Sequence, residues 1–177
     1  MSSMRRGQTG FTLLEVMVVC VIIAILAAIA LPSFASQGRK AKGDAEVSAF
    51  VTELKLREEH YQLEKGNFLA TGASESDMFP PGNPTGPHRT IPTYPASWTA
   101  LKVRLGATRA LCTYVVQTGT PTSGTVGPMA TTFGMAVGSK NWFYILARCN
   151  LDDDPTSFSW YFTSSTSSTI QKLNHGK

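Results

Sequence analysis

Gly10-Phe11-Thr12-Leu13-Leu14-Glu15, followed by an uncharged apolar run from Val16 to Leu31 and closed by Pro32, is the stretch on which the fold turns. Arg5 and Arg6 precede it. Phe11 to Phe34 is long enough to cross a bilayer, for which about 20 apolar residues suffice. A charged side chain in such a segment costs about 2.5 to 3.5 kcal/mol on insertion scales, so Glu15 at its mouth calls for a cation. Cleavage between Gly10 and Phe11 creates one, an ammonium on Phe11 at the same end of the rod. In a staggered bundle, Glu15 of one copy then meets the Phe11 ammonium of the next, and pairing at low dielectric makes a misregistered neighbour costly.

Two plainer readings share part of this pattern. A secretory signal peptide also shows basic residues and an apolar segment, and Ser33-Phe34-Ala35 before Ser36 is a passable cleavage site. Its apolar region usually runs about 7 to 15 residues, shorter than this one, and does not open on a carboxylate. A single-pass anchor needs only the length.

The residues from Arg5 to Val19, continuing through Ile22 to Pro32, resemble the N-terminus of a type IV prepilin or a type II secretion prepseudopilin. Basic leader, Gly, Phe, Glu at that offset and the later Pro all coincide. Ala24 stands where many members place Gly, which slightly strengthens the helix. The resemblance implies that a membrane prepilin peptidase cuts after Gly10 and N-methylates Phe11, and that the mature subunits assemble into a homo- or hetero-oligomeric helical filament. It further implies a single pass in the inner membrane, held in the lipid bilayer until the assembly machinery extracts the subunit into an extracellular pilus or periplasmic pseudopilus. Charge alone does not orient the segment, because Arg39, Lys40 and Lys42 follow it as Arg5 and Arg6 precede it. The resemblance places the leader in the cytoplasm and everything after Pro32 outside.

Of 177 residues, about 140 lie beyond the apolar segment, enough for one globular core. The formal charge of +4 includes Arg5 and Arg6 of the leader, so the mature excess is smaller still and nucleic-acid binding is not indicated. Cys20, inside the apolar run, reads as a small hydrophobic thiol. Cys112 and Cys149 sit in strand-like stretches of the exported part, where an oxidising compartment favours a disulfide. That bond would contribute roughly 4 kcal/mol by loop closure. The alternative is two buried thiols in adjacent strands.

Pro32 lacks a donor and is expected to kink the helix, and Gly38 and Gly43 weaken the turns beyond it. Apolar spacing resumes at Val47, Phe50, Val51 and Leu54 as an amphipathic helix, with Glu53 and Arg57, and Lys55 and Glu59, as i, i+4 pairs on its wet side. Helix signals fade at Gly66-Asn67. The chain from Ala70 to Pro95 is too rich in Gly, Ser and Pro for a helix or a central strand. Strand-like runs follow at Leu101 to Leu105, Leu111 to Gln117, Trp142 to Ala147 and Phe158 to Thr163. Thr118 to Ser139 reads as loop with room for one short strand.

The expected organisation is a cleaved leader at 1–10, a hydrophobic transmembrane and filament-core helix at 11–35, an amphipathic helix at 36–66, and a β-sheet head at 67–177 with a Pro/Gly-rich loop at 70–100. The fold class is α+β: a long N-terminal helix whose amphipathic half packs on a small antiparallel sheet, as in type IV pilins. Trp98, Trp142, Phe143, Tyr144, Trp160 and Tyr161 read as core and sheet packing rather than a ligand platform.

No catalytic constellation appears: His60, His88 and His175 lack partners at metal-ligand spacing, and there is neither a phosphate loop nor a Gly-x-Ser-x-Gly elbow. The sequence reads as a non-enzyme without cofactor. Asp152-Asp153-Asp154 offers hard oxygen ligands, as the calcium loops of major pseudopilins do, but no matching ligand set follows, and a solvated acidic turn before Pro155 accounts for it. The expected function is a major or minor type IV pilus subunit serving motility, adhesion or DNA uptake. The alternatives are a type II secretion pseudopilin and, from a different class, a monomeric anchored or secreted binding protein. The expected disulfide and the lack of a calcium loop point to the pilin, and Glu15 argues against the tip pseudopilin that lacks this carboxylate.

Overall fold

A computed structural model describes residues 11–84, 89–106, 108–152 and 154–176. The first element, α1, spans Leu13–Lys65. It is helical without a break across Pro32, so the proline does not end it. The chain divides into two compact units after Gln37, and α1 contributes to both. In the first unit, Leu13–Leu31 is long and apolar enough to cross a membrane. Val16, Met17, Val18 and Val19 are all exposed there. Four consecutive residues cover about a full turn, so the helix is apolar on every side.

In the second unit α1 changes character. Val47, Phe50, Val51 and Leu54 are buried, while Leu56 and Leu63 are exposed. Gly43 permits the close approach at the start of this stretch, since a Cβ there would lie 2.7 Å from Leu151 Cδ2. Gly66, with φ +81°, ends the helix in the left-handed conformation that glycine adopts without penalty.

After α1 come β1 (Arg89–Thr90), α2 (Ala96–Ala100), β2 (Arg109–Ala110), β3 (Cys112–Gly119), α3 (Pro128–Thr132), β4 (Trp142–Cys149), β5 (Ser159–Ser164) and β6 (Ser167–Leu173). β1 and β2 form a two-stranded antiparallel ribbon, and β3 to β6 form an antiparallel meander in chain order. The α+β class expected from the sequence is thus the architecture observed.

β3 and β4 are buried on both faces, which is why they read as continuous apolar runs rather than alternating ones. Tyr114, Val116, Phe143, Ile145 and Ala147 belong to the cluster that holds Val47, Phe50, Val51 and Leu54 of α1. Val115, Trp142, Tyr144, Leu146 and Phe162 form the opposite cluster with Ala130 of α3. Of the six expected core aromatics, five are buried and Trp160 is half-buried. The open edge of β3 is covered by Thr71, whose N–H and hydroxyl bond the carbonyl and N–H of Val116, and by Phe79, paired with Tyr114. Covering an edge in this way blocks intermolecular strand pairing.

Four sequence expectations need correction. Leu101 to Leu105 is not a strand: Leu101, Val103 and Leu105 are buried alternately, but the Val103 N–H donates to Trp98 O and the Leu105 N–H to Tyr94 Oη. Alternate burial mimics a strand where no neighbouring strand exists to pair. Thr118 to Ser139 contains α3, whose Met129 and Ala130 N–H groups donate to the distant Glu75 carboxylate, each at 2.9 Å. Beyond the four expected strands stands β6, a Ser/Thr-rich edge with mostly exposed or half-buried positions. Lys55 does not pair with Glu59; its Nζ donates to the carbonyls of Ser164 and Ser167 and holds the β5–β6 turn. The Glu53–Arg57 pair is present at 3.6 Å.

Polar groups of α1 lock it to the sheet. Glu46 accepts from the N–H groups of Leu111 and Cys112 and from Tyr114 Oη. Asp44 accepts from Tyr161 Oη at 2.8 Å and meets Lys172 Nζ at 3.0 Å and His175 Nε2 at 3.0 Å. Glu58 is fully buried, and one of its oxygens accepts the Leu69 N–H at 2.9 Å just past the helix end. Burial pushes its carboxyl up from 4.5 to about 7, against the opposing pull of that N–H.

The folded chain therefore resists ionising Glu58 until about pH 7, while the unfolded chain ionises near 4.5. Its ionisation costs no stability below the lower value and costs most above the higher one. At about 1.4 kcal/mol per unit, the cost is on the order of 3 kcal/mol. Glu58→Gln should accordingly match the parent near pH 4.5 and exceed it by about 1 to 3 kcal/mol at pH 8. Thermal unfolding of the full chain in mild detergent across that range checks this; parallel curves would contradict it.

Candidate functional site: the mouth of the apolar helix

Thr12 immediately precedes the first helical residue, Leu13, and Glu15 sits in the first turn. Glu15 Oε2 accepts the Thr12 N–H at 2.9 Å and the Thr12 hydroxyl at 3.0 Å. The Glu15 N–H donates back to Thr12 Oγ1 at 3.2 Å. This reciprocal arrangement is a capping box, which satisfies helix-end donors that have no intrahelical partner. The Thr-x-x-Glu spacing announces it in the sequence, and reasoning from the charge of Glu15 alone missed it.

The cap gives Glu15 a role that does not depend on the leader, because every atom in it belongs to Thr12 or Glu15. Among the described residues Oε1 accepts no hydrogen bond, so it can receive a cation without breaking the cap. Phe11 is exposed beside it. Gly10, the residue before the expected cut, lies outside the described residues.

Elsewhere the expected positions fall as follows. Pro32 lies within α1, and Cys20 is a free, exposed thiol on the apolar helix. Cys112 and Cys149 form a disulfide between directly paired positions of β3 and β4, with Cα atoms 4.2 Å apart. Both are fully buried in the cluster beneath α1. Asp152 and Asp154 cap their own turn, Asp152 Oδ1 accepting the Asp154 N–H and Asp154 Oδ1 accepting from Thr156 N–H and Oγ1. Asp153 and His88 lie outside the described residues. His60 faces Glu64 at 3.4 Å, and His175 faces Asp44. Among the described residues there is no group of three or more His, Cys, Asp or Glu side chains that could hold a metal.

A capped carboxylate thus stands at the mouth of a helix that is apolar on every side. Residues 5–31 match the family model of the prokaryotic N-terminal methylation motif. The chain is similar to the type IV wide pilus major component PilA4 of Thermus thermophilus, 35% identical over 69 residues, covering 39% of this chain and 52% of that one. It is also similar to the type II secretion system core protein G of Pseudomonas aeruginosa, 36% identical over 85 residues, with 45% and 57% covered. Core protein G of Dickeya chrysanthemi is 38% identical over 68 residues, with 38% and 44% covered. The chain spans about half the length of the curated relatives it matches. No solved structure matches it significantly. The chain carries the N-terminus of the type IV pilin and pseudopilin family.

Removing the cap should loosen the first turn without touching the head. Thr12→Ala is expected to cost the helix end about 1 kcal/mol and Thr12→Ser little. Amide hydrogen exchange in micelles checks this: Thr12→Ala should speed exchange at residue 15 several-fold and leave β3 and β4 unchanged. Equal exchange in the two variants would contradict the capping role.

Proposed function

We propose that this chain is a structural subunit of a type IV pilus, cut after Gly10, N-methylated on Phe11 and assembled through α1. The observation that carries this is the pairing of two features in one short stretch: Glu15 with one oxygen open, and a helix apolar on all sides behind it. The helix first holds the subunit in the inner membrane and afterwards packs among other copies. Glu15 Oε1 then receives the Phe11 ammonium of a neighbour, a pairing strengthened by the low dielectric of the filament core. Its partners are other pilin subunits, the prepilin peptidase and the inner-membrane assembly machinery. It is not an enzyme, and its work is assembly.

Two features of the head support an exported pilin. The disulfide staples the edge strand β3 to its neighbour β4, worth roughly 4 kcal/mol by loop closure, which suits a domain that works outside the cell. Asp152 Oδ1 and Asp154 Oδ1 accept from their own turn, in keeping with an acidic turn before Pro155, and calcium is not proposed there. The similarity to core protein G supports a second reading, a pseudopilin of a type II secretion system. The two separate on deletion: loss of sheared surface filaments supports the pilin, and accumulation of exported proteins in the periplasm supports the pseudopilin.

Glu15→Ala tests the assembly mechanism common to both. The variant should be processed and retained in the membrane yet fall at least tenfold in the sheared filament fraction. Glu15→Gln, which keeps a cap acceptor but not the charge, should fail similarly. Normal incorporation of either variant would refute the charge pairing.

A further inference from the structure

Among the described residues Glu58 is the one fully buried ionisable carboxylate, and it stands two turns before α1 ends. Its Oε2 accepts the Leu69 N–H, while its Oε1 is buried with no hydrogen-bond partner among the described residues. An ionised carboxylate offers about four acceptor sites, and this one meets a single donor. The closed head therefore holds the neutral carboxyl more readily than the charged one, as the rise from 4.5 to about 7 also reflects.

No neighbouring charge offsets this. One turn either way along α1 stand Leu54 and Gln62. Lys55 is engaged by the Ser164 and Ser167 carbonyls, Arg57 by Glu53 and His60 by Glu64, while Glu59 is exposed. The segment from Gly66 to Gly72 contains no titratable residue. In the core beneath α1 the titratable side chains are Tyr114 and Tyr161, bonded to Glu46 and Asp44, and Lys102 shares a small cleft with Tyr61 and Glu64 beside the last turns of the helix. Burial and the Leu69 N–H are what set the carboxyl's value.

A buried group that ionises must be reached by water, and the covers around Glu58 differ in how easily they move. The helix and the sheet are held by regular hydrogen-bond ladders; the Gly66–Thr71 segment is irregular and leaves α1 through Gly66, whose φ of +81° makes it a natural hinge. Phe68 packs edge-on against Phe143, and Thr71 exchanges two hydrogen bonds with Val116 on the edge of β3. Beyond it the chain is fixed again, because a Cβ at Gly72 would lie 2.7 Å from Asp77 Cβ. We propose that Glu58 is a pH-sensitive latch, whose ionisation releases the Gly66–Thr71 segment and bares the Val116 end of the β3 edge while the rest of the sheet stays closed. The Phe79–Tyr114 bridge keeps the other part of that edge covered. A bared edge is a template for a further strand, so the latch decides whether the head offers one. It acts within one copy and does not depend on the filament reading.

Amide hydrogen exchange of the full-length chain in mild detergent tests this, each rate taken relative to an unstructured peptide at the same pH. Glu58→Gln keeps an acceptor for the Leu69 N–H and cannot ionise. Near pH 4.5 the parent and this variant should agree within about twofold at Leu69, Thr71 and Val116. At pH 8 the parent should exchange at least tenfold faster than the variant at these three amides. Urea at 1 M should leave those rates unchanged while speeding exchange in β4, because a local opening exposes little surface and a global one exposes much. Equal protection in the two proteins at pH 8 overturns the latch, and so does a urea response that matches β4, which would mean that the whole head loosens together. If Glu58→Gln does not fold, the parent alone decides: protection of the three amides falling at least tenfold from pH 4.5 to pH 8 supports the latch, and constant protection overturns it.

Discussion

One helix has to satisfy two solvents. Through Leu31, α1 carries apolar side chains on every face, which only lipid or other apolar helices can cover. From Val47 onward its buried apolar residues, Val47, Phe50, Val51 and Leu54, lie on one face, and that face is sealed by the sheet. The rest of the head follows from this seal. β3 and β4 must present Tyr114, Val116, Phe143 and Ile145 to the helix, and once they do, their alternate residues need a second cover, which α3 and its flanking loops provide.

Carboxylates recur as the device that joins pieces. Glu15 caps the start of α1, Glu46 receives the N–H groups at the entry to β3, Glu58 receives the chain returning past Gly66, and Glu75 caps α3. Each satisfies backbone donors that local secondary structure leaves orphaned, and hydrogen bonds to charged acceptors are worth more than neutral ones. Glu58 is the costly member, since full burial works against its ionisation. Glu15, at the exposed end of the helix, has one oxygen that accepts no hydrogen bond among the described residues, and the assembly contact proposed above rests on that opening.

Much of this was readable from the residues because it depends on local pattern. Gly66 marked the end of α1, the apolar runs marked β3, β4 and β5, and the Cys112–Cys149 pairing followed from strand-like context and compartment. What escaped depends on partners far away in sequence. α3 has no cap of its own and borrows Glu75; Lys55 bonds carbonyls more than a hundred residues on rather than Glu59 one turn away. β6 is a polar edge whose strand character comes from pairing with β5. Leu101 to Leu105 had the alternation of a strand without a neighbour to make it one. At the site itself, the charge of Glu15 drew attention away from the Thr12 hydroxyl that gives it its geometry.

The central claim is that the chain matures to a subunit beginning at Phe11, with Glu15 at the mouth of its assembly helix. The most direct measurement is the intact mass and N-terminal peptide of the protein taken from membranes and from sheared filaments of a competent host. The account predicts an N-methylated Phe11 start in both fractions. A start at Ser36 would make the apolar segment an ordinary export signal, and an uncut Met1 start would leave only an anchor; either result contradicts the account.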